Sequence, residues 1–305
     1  MDRLGEMAIF VAIIEEGSLA AAARRLGRSP PAVTYALASL ERRLGTRLIQ
    51  RTTRRLAATD AGQRFFVSCQ RLLAQLEDIE QAAAGEGALP RGRLRVTAPT
   101  LFGRLHVAPI VSEFIARYRD VQVELVLLDR VIDLIEEGID VAVRIGHLPD
   151  SSLIVRKVAS VRRVLCASAG YLKKAGVPKS PHDLAGHDIV AFTGIASAEA
   201  WRFRTGNRTV TVPIKPRFVV NQADSALVAA LDGRGITLVL SYQLALVPPG
   251  RLTVLLEEFE PAPMPIQLAY PGHRLVAPNV RAFVDAAVER LTKVDMLPRV
   301  AAKPR

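Results

Sequence analysis

Cysteine is nearly missing from this chain. The only two among 305 residues, Cys69 and Cys166, lie far apart and form no C-x-x-C pair. A disulfide scaffold is excluded, and the usage is compatible with a reducing compartment. Long apolar runs are missing too. The longest, near 236–247, falls short of the ~20 residues of a membrane span and is interrupted by Ser241 and Gln243. The N-terminus lacks the basic head and apolar core of a signal peptide, because Glu6, Glu15 and Glu16 break it. These absences predict a soluble, cytoplasmic protein with no membrane partner. Catalytic signatures are also lacking: no G-x-S-x-G elbow, no phosphate loop, and no G-x-G-x-x-G after a strand. The five histidines are scattered, and neither cysteine has a histidine near it in sequence. Neither catalysis, a cofactor nor a metal site is expected.

What is present is apolar content and positive charge. Half of the residues are hydrophobic and 23% are charged, so a packed core needs no staples. At roughly 150 residues per domain, the length suggests about two domains. The formal net charge is +11, and it is unevenly spread. Residues 1–58 hold ten arginines against five acids, and positions 42–55 hold six arginines and no acid. Such clustering suits nucleic acid, although an arginine run can also be a solvated face.

Met7, Phe10, Val11 and Ile14 make one helical stripe, ended by Gly17. Ser18 is an N-cap for a short helix burying Leu19, Ala22, Ala23 and Leu26. Ser29 caps a third, with Pro30 at its first position and Val33, Leu37, Leu40 and Leu44 inward. This is a helix-turn-helix, whose third helix offers Ser29, Pro31, Thr34, Tyr35 and Ser39 to a major groove. A plain three-helix bundle is the competing reading. The segment 48–56 suits a two-stranded wing, with Arg51, Thr52, Arg54 and Arg55 meeting phosphates or the minor groove.

Several runs then match one family in order. They are GSLAAAARRLG at 17–27, SPPAVT at 29–34, LERRLGTRL at 40–48, RTTRR at 51–55 and TDAG at 59–62. This segment resembles the DNA-binding domain of LysR-type transcriptional regulators. The chain departs from the pattern at Pro30, where the family often has glutamine, at Tyr35, where arginine is common, and at Ala58, where leucine is common. Those departures bear on base preference, not on fold.

From Thr59 to about residue 84 the pattern is helical, with Phe65, Cys69, Leu72, Leu76, Ile79 and Ala83 spaced as a heptad seam. The seam predicts a dimer coiled coil; packing on its own domain is the alternative. A dimer would present two helix-turn-helix units to an interrupted palindrome in duplex DNA. Residues 85–92, with three glycines and a proline, read as a hinge.

Beyond the hinge, strands are expected at 94–98, 121–128 and 139–145, with helices at 107–118 and 131–137. This βαβαβ order implies parallel strands. A second unit begins near residue 160, includes a hairpin about Gly206-Asn207, and returns through a strand at 265–270 to a closing helix at 280–291. LRVTAP at 94–99, DVAVRIG at 140–146 and RVLCAS at 163–168 resemble the effector domain of the same family. The resemblance implies two Rossmann-like α/β lobes, similar to periplasmic binding proteins, with a small-molecule cleft between them. It divides the chain into a winged helix-turn-helix at 1–58, a linker helix at 59–84 and a hinge at 85–92. Lobe I follows at 93–161 and 268–296, lobe II at 162–267, and a tail at 297–305. Family members often pair dimers into tetramers. Leu240-Ser241 departs from the family, which commonly places proline after that strand.

Ligands in open α/β sheets sit at the carboxyl ends of strands. Lining candidates are therefore Pro99, Thr100, Leu101, Phe102, Asp129, Arg144, Ile145 and Gly146, with Phe192 and Asn221 from the other lobe. Free N–H groups at Thr100 and the Arg144 guanidinium suit a carboxylate. A salt bridge from Arg144 to Asp129 or Asp140 is the competing reading. The expected function is a DNA-binding regulator under a small, anionic effector. An α/β enzyme lacks its motifs here. A solute-binding protein would carry a leader and no basic domain.

Overall fold

The computed structural model describes residues 2–51, 56–83, 89–130, 132–148, 153–272, 276–294 and 296. It divides into two compact units, Met1–Arg93 with Arg274–Pro278, and Leu94–His273 with Asn279–Arg305. Among the described residues, no helix is long and apolar enough to cross a membrane, and no cluster of His, Cys, Asp or Glu is placed to hold a metal.

In the first unit, α1 (Arg3–Glu16) stops at Gly17, whose φ of 67° is the left-handed conformation that suits glycine. Ser18 Oγ accepts from the Ala21 N–H at 3.1 Å to start α2 (Leu19–Arg25), as its N-cap position implies. Helix α3 (Pro30–Leu44) has Pro30 in its first turn. Strands β1 (Ile49–Arg51) and β2 (Leu56–Ala58) pair antiparallel, which makes the expected wing. Helix α4 (Asp60–Ala83) follows. Its start is pinned by Thr59, whose Oγ1 accepts from the Gly62 N–H at 2.9 Å. Gly62 has a steric duty as well: a Cβ there would lie 2.0 Å from the Leu48 carbonyl oxygen.

Helix α1 is more deeply buried than its one stripe implies. It packs on α2, α3 and α4 at once, so Ile9, Ala12 and Ile13 are buried along with Phe10 and Val11. Contact with α4 corrects the heptad reading. Phe65 and Cys69 pack on this unit's own core, as the alternative reading has it, with the Phe65 ring 5.6 Å from that of Phe10. Burial pushes the Cys69 thiol up to about 11, so it is a small core group and not a reactive thiolate.

The second unit opens with β3 (Gly92–Ala98), a single turn α5 (Thr100–Phe102), a π-turn at Gly103–Val107 and α6 (Ala108–Arg117). Strands β4 (Val121–Leu127), β5 (Val141–Ile145) and β6 (Leu153–Val161) follow. The helix expected over 131–137 does not form; the chain makes a turn at 134–138 instead. Asp133 Oδ1 accepts from the Ile135 and Glu136 N–H groups. Arg95 then donates to the Glu137 and Gly138 carbonyls, and Gly138 (φ 63°) turns the chain out. These side-chain bonds offer the backbone an alternative to a helix.

The chain then enters a second sheet through β7 (Arg163–Ser168), α7 (Ala169–Ala175) and β8 (Ile189–Phe192). The hairpin β9 (Ala200–Thr205) and β10 (Arg208–Pro213) forms about Gly206-Asn207. Next come β11 (Pro216–Val220), α8 (Ala223–Leu231), β12 (Ile236–Leu240) and β13 (Leu252–Leu255). The return strand β14 (Met264–Pro271) and α9 (Pro278–Leu291) complete the unit. The sheets are ordered β4-β3-β5-β14-β6 and β11-β8-β12-β7-β13.

Both sheets are mixed, where βαβ patterning implied parallel strands. β3–β5, β8–β11 and β8–β12 are parallel, whereas β14 runs antiparallel to β5 and β6, and β7 to β12 and β13. The antiparallel members carry the chain into and out of each lobe. β14 joins the lobe I sheet from Met264, earlier than the boundary at 268 read from the sequence. Central β12 is buried at every position, Thr237 included, so neither face meets water and no alternation shows.

Ser241, at the position where the resemblance leads one to expect proline, is fully buried. Its Oγ accepts from the Arg162 N–H at 3.1 Å and donates to the Met296 carbonyl at 2.6 Å. It thus ties the crossover between the lobes to the segment after α9. Ser241→Ala strands two buried groups and should cost about 2–4 kcal/mol, given ~1–3 kcal/mol for each unsatisfied group. Denaturant unfolding of the full chain checks this, and a loss under about 0.5 kcal/mol would mean that water replaces the hydroxyl.

Candidate functional site

Two sites follow from this frame. The first is the outer face of α3 and the wing. Ser29 occupies the N-cap position, but its hydroxyl caps nothing, and it is exposed together with Pro31. Tyr35 is 62% exposed. The Thr34 hydroxyl donates back to the Pro30 carbonyl at 3.0 Å, a local bond that a base edge would have to share or displace. Ser39 is half-buried and already bonded within the unit. Its hydroxyl donates at 2.6 Å to Glu6 Oε1, while Glu6 Oε2 pairs with Arg43 Nη2 at 2.8 Å. Bonds from Ser39 and then Arg43 hold this buried carboxyl below the usual carboxylate range, against desolvation. Ser39 is therefore a structural link between α1 and α3.

Glu41 is the lone acid between Glu16 and Asp60. It accepts from the Leu48 and Ile49 N–H groups at 2.8 and 3.1 Å. Its charge is spent on anchoring the wing, which leaves the basic face unopposed by it. Arg42 and Arg47 are exposed, and Arg47, Gln50 and Arg64 line an open groove at the wing base. Sequence reading missed that groove, although its arginines were in view. Arg51 ends β1, with its side chain outside the described residues, as are Thr52, Arg54 and Arg55.

Along α4, Leu72 and Ile79 are 42% and 62% exposed and Leu76 is half-buried. The Ala83 side chain lies outside the described residues.

The second site is a cavity of about 110 Å³ between the two sheets of the second unit. Pro99, Leu101, Asp129, Arg144, Ile145 and Phe192 line it, as the strand-end rule anticipates. Four expected residues do not. Thr100 gives its N–H to Asp129 Oδ1 at 2.9 Å, so that donor is already occupied. Phe102 is buried behind the wall, its ring edge-on to Tyr242 at 5.3 Å. Gly146 is tied into the sheet, its N–H donating to Pro265 and its carbonyl accepting from Gln267. Asn221 is exposed, and its neighbour Gln222 lines the cavity instead. Tyr242, Gln243 and Met264 were also missed. The first two follow β12, whose end the same strand rule would have flagged.

Arg144 is the chemical centre of this cavity. Its Nη2 is closed off from solvent and has no hydrogen-bond partner among the described residues. Desolvation lowers the pKa of the guanidinium, and the Asp129 charge is the largest opposing influence. The competing salt bridges do not form: Asp129 bonds Thr100 and Gln222, and Asp140 accepts from the Arg95 N–H at 2.7 Å. A buried cationic donor without an acceptor is costly, and an anion supplied from the cavity would relieve it.

Comparison with known proteins covers both parts of the chain. Residues 4–63 match the model of the bacterial regulatory helix-turn-helix protein, lysR family, and residues 87–292 match that of the LysR substrate binding domain. An HTH-type transcriptional regulator of Xanthomonas campestris is 36% identical, over 94% of this chain and 85% of that protein. An HTH-type transcriptional repressor of Pseudomonas aeruginosa is 35% identical, over 95% and 92%. The structure of CrgA, a LysR-type transcriptional regulator from Neisseria meningitidis, superposes with a TM-score of 0.59 at 31% identity, covering 94% of this chain and 98% of that one. These relatives are regulators and not enzymes. With a DNA-binding unit and a substrate-binding unit both matched, the chain belongs to the LysR family of transcriptional regulators.

Proposed function

We propose that this regulator acts in the cytoplasm as a homodimer, and as a homotetramer built from it, on an interrupted palindrome. Its signal would be a small carboxylate bound beside Arg144. The observation that carries this reading is Arg144, a residue of the cavity wall whose Nη2 is buried without a hydrogen-bond partner among the described residues. Exposed apolar positions on α4 support the dimer, and two helix-turn-helix units then imply two half-sites.

Arg144→Ala should weaken effector binding on the order of ten- to a hundredfold, the equivalent of ~1.5–3 kcal/mol for a charge-assisted hydrogen bond. Affinity for DNA without effector should be unchanged, because Arg144 lies outside the basic unit. Titrating the DNA upstream of the protein's own gene, with and without effector, checks both. A mutant that responds as wild type does makes Arg144 structural.

On the DNA side, Arg54 and Arg55 carry charge in a stretch free of acids. Replacing both with alanine should weaken binding to every sequence. It should also flatten the slope of log K against log salt by about one unit per lost phosphate contact. An unchanged slope removes the wing tip from the interface.

A further inference from the structure

The cavity is not a plain anion site. Of the charged side chains lining it among the described residues, Arg130 is paired with Glu137 at 2.8 Å, and Arg144 and Asp129 remain. One cation, with a nitrogen that bonds no acceptor among the described residues, and one carboxylate thus border the same small space. A simple carboxylate settling beside Arg144 would also meet the field of Asp129, and like charges at close range repel.

Asp129 has capacity left. A carboxylate offers about four lone-pair sites. Among the described residues two donors occupy part of that capacity, the Thr100 N–H at 2.9 Å and Gln222 Nε2 at 3.4 Å. The second bond is long, and it comes from the opposite lobe. The rest of the wall mixes the neutral polar side chains Gln222, Tyr242 and Gln243 with apolar ones, Leu101 and Phe192 among them from opposite lobes. The complement of this lining is a short molecule with an anionic end, a cationic or strongly donating end, and a small body that meets both apolar and neutral polar groups.

We infer that the effector is a small zwitterion of the amino acid type, its carboxylate beside Arg144 and its ammonium on Asp129. Asp129 thereby sets specificity: it rejects carboxylates that lack the amine. Because Asp129 also bonds Gln222 across the cleft, an ammonium arriving there competes with or reinforces a contact between the lobes. This assignment rests on the cleft being the effector site.

The test uses the full-length protein and thermal-shift titration with the standard amino acids. Each one that binds is compared with the carboxylate lacking its amine. At least one amino acid should stabilise the wild type, with its deaminated partner binding about tenfold weaker or worse, as for loss of one charge-assisted bond. Asp129→Asn keeps an acceptor for the Thr100 N–H but removes the charge, and it should shrink that difference to about threefold or less. Equal binding of the two partners by wild type overturns the zwitterion assignment and leaves the anion reading standing. Failure of every amino acid to bind overturns it as well. Binding that survives Arg144→Ala unchanged places the ligand elsewhere and overturns the cleft reading itself.

Discussion

Replacing Glu6 with alanine should destabilise the N-terminal unit by about 2–4 kcal/mol. The Glu6 side chain is 4% exposed and bonds two residues of α3. Removing one member of a buried ion pair commonly costs ~3–5 kcal/mol, because the other charge is left uncompensated. Arg43 is 32% exposed, so water recovers part of that loss and the lower range applies. Glu6→Gln keeps an acceptor for Ser39 and should lose less. The folded pKa of Glu6 lies below its unfolded value. Its contribution is therefore fully present above about pH 4.3, the unfolded carboxylate range, and is lost as pH falls through the folded pKa. Unfolding of wild type and Glu6→Gln should converge in acid. Parallel curves at all pH values would show that the carboxylate charge adds nothing.

The second large effect concerns assembly. Leu76→Asp should yield monomers by light scattering, since burying an unpaired charge in an apolar seam costs several kcal/mol. Leu76 lies outside the core that holds Phe65, Cys69 and Leu73, so circular dichroism should remain native. Loss of the dimer should lower affinity for a two-half-site operator by ~10²–10⁴, the usual gain from linked binding. A mutant that stays dimeric would place the interface off Leu72, Leu76 and Ile79.

Much of this molecule was legible in its residues because the relevant physics is local. Ser18 and the left-handed Gly17 delimit α1 and α2 through bonds within a few residues. The run of β12, apolar but for Thr237, and the hairpin at Gly206-Asn207 likewise speak for themselves. The arginine cluster needs no partner to be seen, and the strand-end rule brought Arg144 and Asp129 to the cleft.

Tertiary structure decided what depends on partners distant in sequence. Ser39 looked groove-facing until Glu6, on another helix, claimed its hydroxyl. Phe65 and Cys69 fit a heptad, but a helix face cannot state whether α1 or a second chain covers it. The turn at 134–138 replaced a helix because Arg95, some forty positions away, binds its carbonyls. Thr100 lost its role as a free donor to Asp129, and Gln222 took the place expected of Asn221. In each case a hydrogen bond or packing contact between separate elements outweighed a local preference, since propensities amount to tenths of a kcal/mol per residue and a buried polar contact to about one or more.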